Sequence, residues 1–271
     1  MSSAPDRPSP DLFRSRFAAH ELLVGSFVKT PSVHATEIFG DMGYDFVVVD
    51  EEHAPFDRGS TELVLMAARL AGTAAIVRVS DQSRLLAVLD DGATGVLVPH
   101  VSSAARAQEI AMACRYRGGK RGFSNSPRAG RYGARPLWAH VDAQDASVCV
   151  IAMIEDPEAL DEIDAIVATE GLHGFFIGRG DLTVAYGAPG PDAPVIRAAV
   201  ERICAAARAA GKPVCVMVAS ASEAEGFQKL GASAFIVASD QAFMRQAATK
   251  ALQGFDGLRE AGDLRKTMAP A

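Results

Sequence analysis

Residues 43–50 read GYDFVVVD. A glycine fit for the left-handed position that closes a helix is followed within three residues by an unbroken apolar run, and the run stops on an acid. Apolar residues at every position, without alternation, mark a strand buried on both faces, as in a parallel sheet covered by helices. The same unit returns as GTAAIVRV from Gly72, GATGVLVPH from Gly92, GLHGFFIG from Gly171, GKPVCVMV from Gly211 and GASAFIVA from Gly231. LLVGSFV near the start and VCVIAMIE near Val148 complete eight candidate strands in alternation with helical stretches. That pattern predicts the α/β class and a single-domain (β/α)8 TIM barrel. An open doubly wound sheet is the alternative that the same alternation allows.

The chain has 271 residues, close to the roughly 250 typical of such barrels. Its apolar content is 49% with only 7% aromatic, so Ala, Val, Leu and Ile supply the core, which argues against an all-β sandwich. Net charge is −6 with the basic residues scattered, so no stripe is offered to a phosphate backbone and nucleic acid is not an expected partner. No apolar run approaches the roughly 20 residues that span a bilayer, so no membrane partner is expected. Residues 1–18, opening MSSAPDRPSPD, read as a flexible N-terminal segment without a signal-peptide core; 19–255 form the barrel and 256–271 a C-terminal tail. Cys114, Cys149, Cys204 and Cys215 lack C-x-x-C spacing and read as reduced, mostly buried thiols, consistent with a cytoplasmic enzyme.

Helices are predicted over 33–41, 61–70, 84–90, 104–115, 157–169, 193–210 and 221–230, with Ser103 and Asp156 placed as caps. Residues 116–134, YRGGKRGFSNSPRAGRYGA, break the rhythm. Between the fourth and fifth strands they read either as a loop over the barrel mouth, where arginines meet an anionic substrate, or as a solvated excursion.

In a barrel the C-terminal strand ends converge on one face, and catalytic groups come from several strands. The polar residues there are Lys29, then Asp50 with Glu51, Glu52 and His53, then Arg78, His100, Glu155 and the turn from Gly178 to Asp181. Carboxylates, a histidine and an arginine on one rim can hold a hard divalent cation and leave positions open for an oxygen-rich substrate. Each has a plainer reading. Glu155, ahead of Asp156 and Pro157, would suit a helix N-terminus; Arg78 would suit a salt bridge to a strand-end acid such as Asp50; a lone loop histidine such as His53 is more often a surface residue.

The stretches VVVDEEHAPFD, AAIVRV, AMIED and GFFIGRGDL resemble the HpcH/HpaI family of class II pyruvate aldolases, over roughly residues 22–255. The resemblance implies a divalent metal, Mg2+, Mn2+ or Co2+, held by Glu155 and Asp181, with water and the carboxylate and keto oxygens of the substrate completing the shell. It implies that His53 is the base, that Asp90 raises its basicity, and that Arg78 stabilises the enolate or carbonyl oxygen. The amides of Gly180 and Asp181, at the start of a helix-like stretch, would face the substrate carboxylate. Asp90 is matched through LDDGA, with the preceding stretch two residues shorter than in the relatives. Two departures stand out: Arg179 replaces the family's usual proline, and Met153 replaces a glutamine that helps hold the oxo acid. Phe27 and Met217 fall at strand ends where the acceptor aldehyde would lie, although Phe and Met fill cores far more often than they line pockets.

The activity so implied is a reversible retro-aldol between pyruvate, or a 2-oxo acid such as hydroxypyruvate, and an aldehyde. A covalent Schiff-base route needs a lysine inside the barrel, and apart from Lys29 no lysine falls in a candidate strand. Two rivals are a citrate lyase β-like or malyl-CoA lyase-type enzyme acting on a thioester, against which the lack of an obvious extra coenzyme domain weighs, and a non-catalytic carboxylate-binding barrel. The stretch 240–252 carries Phe243, Met244, Ala247, Ala248 and Ala251 at helical spacing, and the resemblance implies a homo-oligomer, a trimer of dimers, with this helix at the dimer contact.

Overall fold

The computed structural model describes residues 8–259; the first seven residues of the expected N-terminal segment and 260–271 of the expected tail lie outside the described residues. Eight parallel strands, β1 (Leu23–Val28), β2 (Phe46–Asp50), β3 (Ala74–Arg78), β4 (Gly95–Val98), β5 (Cys149–Ile154), β6 (Gly174–Ile177), β7 (Val214–Val218) and β8 (Ala232–Ser239), close into a barrel in sequence order. Every predicted strand is present, and the closed order excludes the open sheet. The described helices are α1 (Phe13–Ala18), α2 (Val33–Met42), α3 (Arg58–Ala71), α4 (Leu85–Asp90), α5 (Ala104–Cys114), α6 (Leu137–Ser147), α7 (Ile163–Ala168), α8 (Arg179–Ala185), α9 (Pro194–Ala209), α10 (Ala221–Leu230) and α11 (Asp240–Gln253). The six junction glycines, 43, 72, 92, 171, 211 and 231, all have positive φ, the left-handed backbone that lets the chain leave a helix and turn into a strand. One predicted helix divides: 157–169 is a 3-10 turn, Pro157–Leu160, followed by α7, because Pro157 starts a tight turn that does not propagate. No described helix is long and apolar enough to cross a membrane.

Strand residues alternate between two buried layers. Val47, Val49, Ala75, Val77, Val150 and Ala152 face the helices, whereas Phe46, Val48, Ala74, Ile76, Leu97, Ile151, Met153, Phe176 and Ile236 fill the barrel interior. Two corrections follow at the N-terminal end of the barrel. Part of the segment expected to be flexible is α1, whose Phe13 and Phe17 join the interior layer at 2% and 0% exposure and plug the barrel floor. Phe17 enters because Gly174 has no side chain; a Cβ there would meet its ring at 2.4 Å. The second concerns 116–134. This stretch leaves the end of α5 and returns through α6 to the start of β5, so it lies at the N-terminal end of the barrel and not over the mouth. Arg121 there pairs with Asp90 at the end of α4, and Arg128 with Glu62 of α3. Cys114, Cys149, Cys204 and Cys215 are free and buried, and burial pushes the Cys204 thiol up to about 11 and those of Cys114 and Cys149 to about 12.

Candidate active site

The inward-facing register of the strands ends in charge. Asp50 and Arg78 stand side by side at the last β2·β3 register position, above the apolar layer. Arg78 donates from Nε to Asp50 Oδ1 at 2.8 Å and from Nη2 to Oδ2 at 2.7 Å. Its Nη1 approaches Glu52 at 3.4 Å, and the guanidinium lies 4.9 Å from the centre of the Phe27 ring. Lys29 Nζ reaches Asp50 at 3.1 Å. Burial would raise the Asp50 carboxyl, but the fork of Arg78, the His53 amide and Lys29 hold it below the ordinary carboxylate value. Arg78 thus makes the expected salt bridge, and the bridge locks the plane of its guanidinium. Phe27, 3% exposed, is the apolar bed beneath these two cations, not a wall open to an aldehyde.

The loop after β2 is folded around the same carboxylate. Asp50 Oδ1 accepts from the amides of Glu52 and His53, a local turn of the kind Asp side chains favour. This sets the exposed His53 ring at the rim, where its Nε2 lies 3.5 Å from Glu52. Asp90 is not brought to His53 within the chain. It sits at the far end of α4, near the strand starts, bound by Arg121; the carboxylate beside His53 is Glu52, and the pairing drawn from LDDGA is corrected accordingly. Glu51 is structural: Arg84 grips it at 2.8 and 3.0 Å and the Thr61 hydroxyl donates to it.

Glu155 follows β5 and is 2% exposed. Burial pushes its carboxyl up to about 7; the Asp181 carboxylate adjoining it adds to the rise, opposed by the His100 amide, which donates to Oε1 at 2.8 Å. Gly178 makes this packing feasible, since a Cβ there would lie 2.5 Å from Glu155 Cβ and 2.9 Å from Met153 Cε. Asp181 is in the first turn of α8, and beside Gly180 a Cβ would meet nothing within 4 Å, so space is open there. Among the described residues neither Glu155 nor Asp181 has a Lys or Arg partner, and no set of three metal-ligating side chains converges. Two adjoining carboxylates with only the His100 ring near them suit a hard divalent ion whose other positions go to water and substrate.

His100, noted in the sequence only as one of the strand-end groups, is held with φ +54, a conformation uncommon for a residue with a side chain. Its Nδ1 lies 3.1 Å from Asp156 and 3.5 Å from Glu155. Burial alone would lower its pKa, yet the Asp156 hydrogen bond and the charges of Glu155, Asp156 and Glu52 raise it. The ring therefore sits on the β5 end of the rim and feels the charge of Glu52 in the β2 loop. Met153 is 2% exposed and buried beside Gly178, while Met217 at the end of β7 is 42% exposed at the mouth. Arg179 turns away from the carboxylates: it donates to the Met217 carbonyl at 3.0 Å, pairs with Glu223 of α10 and lies 4.7 Å over the Phe227 ring.

A barrel whose C-terminal rim joins a fixed arginine, a rim histidine and an adjoining pair of carboxylates has the equipment of a carbon–carbon lyase. The model of the HpcH/HpaI aldolase/citrate lyase family matches residues 23–257, and the chain belongs to that family as an aldolase. It is 32% identical over 250 residues to a protein named 5-keto-4-deoxy-D-glucarate aldolase from Klebsiella pneumoniae, covering 91% of this chain and 97% of that one. The Enterobacter protein of the same name is also 32% identical over 250 residues. Among solved structures, citrate synthase SbnG is similar at 28% identity and a TM-score of 0.82, covering 93% of this chain and 98% of that one. An HpcH/HpaI aldolase/citrate lyase family protein from Burkholderia cenocepacia has 27% identity and a TM-score of 0.84, covering 90% and 98%.

Proposed function

We propose that the protein is a cytoplasmic class II aldolase that reversibly joins pyruvate, or a related 2-oxo acid such as hydroxypyruvate, to an aldehyde. The observation that carries this is the buried Glu155 carboxylate set against Asp181 with no lysine or arginine among the described residues to balance them. A divalent cation bound there, Mg2+, Mn2+ or Co2+, would chelate the oxo acid and supply the Lewis acidity that favours its enolate. The residues do the rest. The amides of Gly180 and Asp181 orient the substrate carboxylate, Arg78 presents a fixed donor to the oxygen that gains charge, and His53 moves the proton of the C4 hydroxyl. Glu52, 3.5 Å from His53 Nε2, helps hold the ring at the rim. Met153 offers no hydrogen bond to the oxo acid, so orientation falls to the backbone of α8. The name of the relatives suggests a substrate: retro-aldol cleavage beside the deoxy carbon of 5-keto-4-deoxy-D-glucarate yields pyruvate and a hydroxylated acid aldehyde.

Retro-aldol release of pyruvate, followed through a coupled dehydrogenase, tests the reading together with a panel pairing pyruvate or hydroxypyruvate with short and acidic aldehydes. Exhaustive EDTA treatment is expected to abolish turnover, and Mg2+, Mn2+ or Co2+ to restore it. Full activity after chelation, or a pyruvate adduct trapped by borohydride, overturns the class II assignment.

A further inference from the structure

The end of the barrel opposite the rim holds a cavity of about 510 Å³ that the aldolase chemistry does not use. It lies where β3 and β4 begin, between α3, α6 and the 116–134 stretch, and among the described residues that line it Arg69, Arg128, Arg131 and Arg135 face a single acid, Asp11. Among the described residues only Arg128 of the four has a carboxylate partner, Glu62 at 2.8 Å, and its Nε is buried without any hydrogen-bond partner. In a chain of net charge −6 this is a marked concentration of positive charge. Gln144 adds a neutral donor, because its Oε1 is already taken by Arg121 and its amide nitrogen is left over.

The loop carrying three of these arginines is built, not slack. Arg131, Tyr132 and Gly133 all have positive φ, 54°, 54° and 87°, an arrangement that is unfavourable wherever a side chain is present. Backbone bonds from Tyr132 to the Pro127 carbonyl, Gly133 to that of Asn125 and Arg135 to that of Gly130 hold it. Gly130 has no room for a side chain, since a Cβ would meet the Asn125 carbonyl oxygen at 2.0 Å. A loop fixed in this way carries its arginines on a backbone that needs no further ordering on binding. We propose that this cavity is a second binding site, separate from the rim, for a small polyanion bearing carboxylate or phosphate groups, which planar guanidinium forks recognise in pairs. The volume is in the usual range of small-molecule sites, roughly 300–1,000 Å³, and suits a compact acid, not a polymer.

Calorimetric titration of the full-length, Mg2+-loaded protein at saturating pyruvate tests this, with tricarballylate and inorganic phosphate as probes and acetate as the single-charge control. At least one probe is expected to bind with pyruvate present and to lose about tenfold or more in affinity in Arg131→Gln/Arg135→Gln, whose turnover without polyanion stays at the level of the unaltered protein. Preference for tricarballylate identifies a polycarboxylate, preference for phosphate a phosphorylated acid, and Arg131→Lys/Arg135→Lys should bind at intermediate strength. If the glutamine pair unfolds early in a thermal melt, Arg69→Gln on α3 takes its place with the same expected loss. Undiminished affinity in the folded variants, displacement by pyruvate, acetate binding as tightly as either probe, or no binding of either probe in the millimolar range overturns the proposal.

Discussion

Arg78 and Asp50 face each other across adjacent strands through two short bonds of 2.8 and 2.7 Å, so a permanently charged group at a strand end is fixed before any substrate arrives. A donor that need not reorganise is what transition-state stabilisation asks for. Arg78→Ala should cut kcat by about two to three orders of magnitude, near 3 kcal/mol, while leaving metal affinity nearly intact. Arg78→Lys should not rescue fully, because a point charge lacks the planar fork. Steady-state kinetics alongside metal titration checks both, and a change confined to KM would reject the oxyanion role.

Gly178 offers a sharper structural test, since its own φ of −82 is ordinary and only space forbids a side chain. In Gly178→Ala the new methyl would sit 2.8 Å from Glu155 Oε2 and 2.5 Å from its Cβ, with Met153 on the other side. The expected outcome is a loss of about 1–3 kcal/mol in stability from overpacking, together with weaker divalent-metal binding because the carboxylate is displaced. Thermal unfolding and calorimetric Mn2+ titration read the two effects separately. Unchanged metal affinity in a folded variant would remove Glu155 from the ligand set.

His173 predicts how stability follows pH. It sits before β6, accepts from the Val150 amide at 2.9 Å, and burial, aided by Arg14, Lys212 and Arg115, pushes its pKa from 6.5 down to about 3. A base depressed on folding favours the folded state fully above its ordinary value and loses that contribution as pH falls from 6.5 towards 3. The slope is at most about 1.4 kcal/mol per pH unit. His173→Gln, which has nothing to protonate, should flatten the fall in melting temperature over that window relative to the unaltered protein. Parallel curves for the two proteins would show that other groups govern acid unfolding.

Much of the architecture was legible because it rests on local rules. Glycine at helix ends and apolar runs are features of one segment at a time; all eight strands carry such a run, and six follow such a glycine. The rim was legible for the same reason: Asp50, Arg78 and Glu155 each end or directly follow an apolar run, and the barrel dictates that such ends meet. What escaped depended on partners distant in sequence. Nothing local to LDDGA shows that Arg121 reaches Asp90 from 31 residues away, and nothing in GFSNSPRAGRYG indicates which end of the barrel it covers. Phe13 and Phe17 sit in a terminus whose start looks frayed; the gap left by Gly174 gives the Phe17 ring its destination, and Phe13 packs on Phe17 and Phe46. His100 was legible only as one of the strand-end polar groups, because its strained backbone and its place beside Asp156 and Glu155 exist only after the strands close.

Of the apolar side chains of α11 only Phe243 turns substantially inward, meeting the Phe39 ring at 5.9 Å, whereas Met244 and Leu252, and Phe255 just beyond the helix, are 62%, 53% and 57% exposed. An apolar stripe this open on a barrel-covering element is unusual for a monomer and suits burial against a second copy. The expected state is a homo-oligomer, a trimer of dimers with α11 at the dimer contact. Deleting 240–271 would be a poor test, because the Asp240 carboxylate accepts from the Lys29 and Thr30 amides at 2.8 and 3.0 Å and ties down the end of β1. Met244→Glu/Leu252→Glu leaves that tie in place and charges only the exposed face. Light scattering should give a hexamer for the unaltered protein and smaller species for the variant, with the melting transition of the barrel retained. A monomer mass for the unaltered protein at micromolar concentration would reject the assembly, and a hexamer that withstands both glutamates would reject the part given to α11.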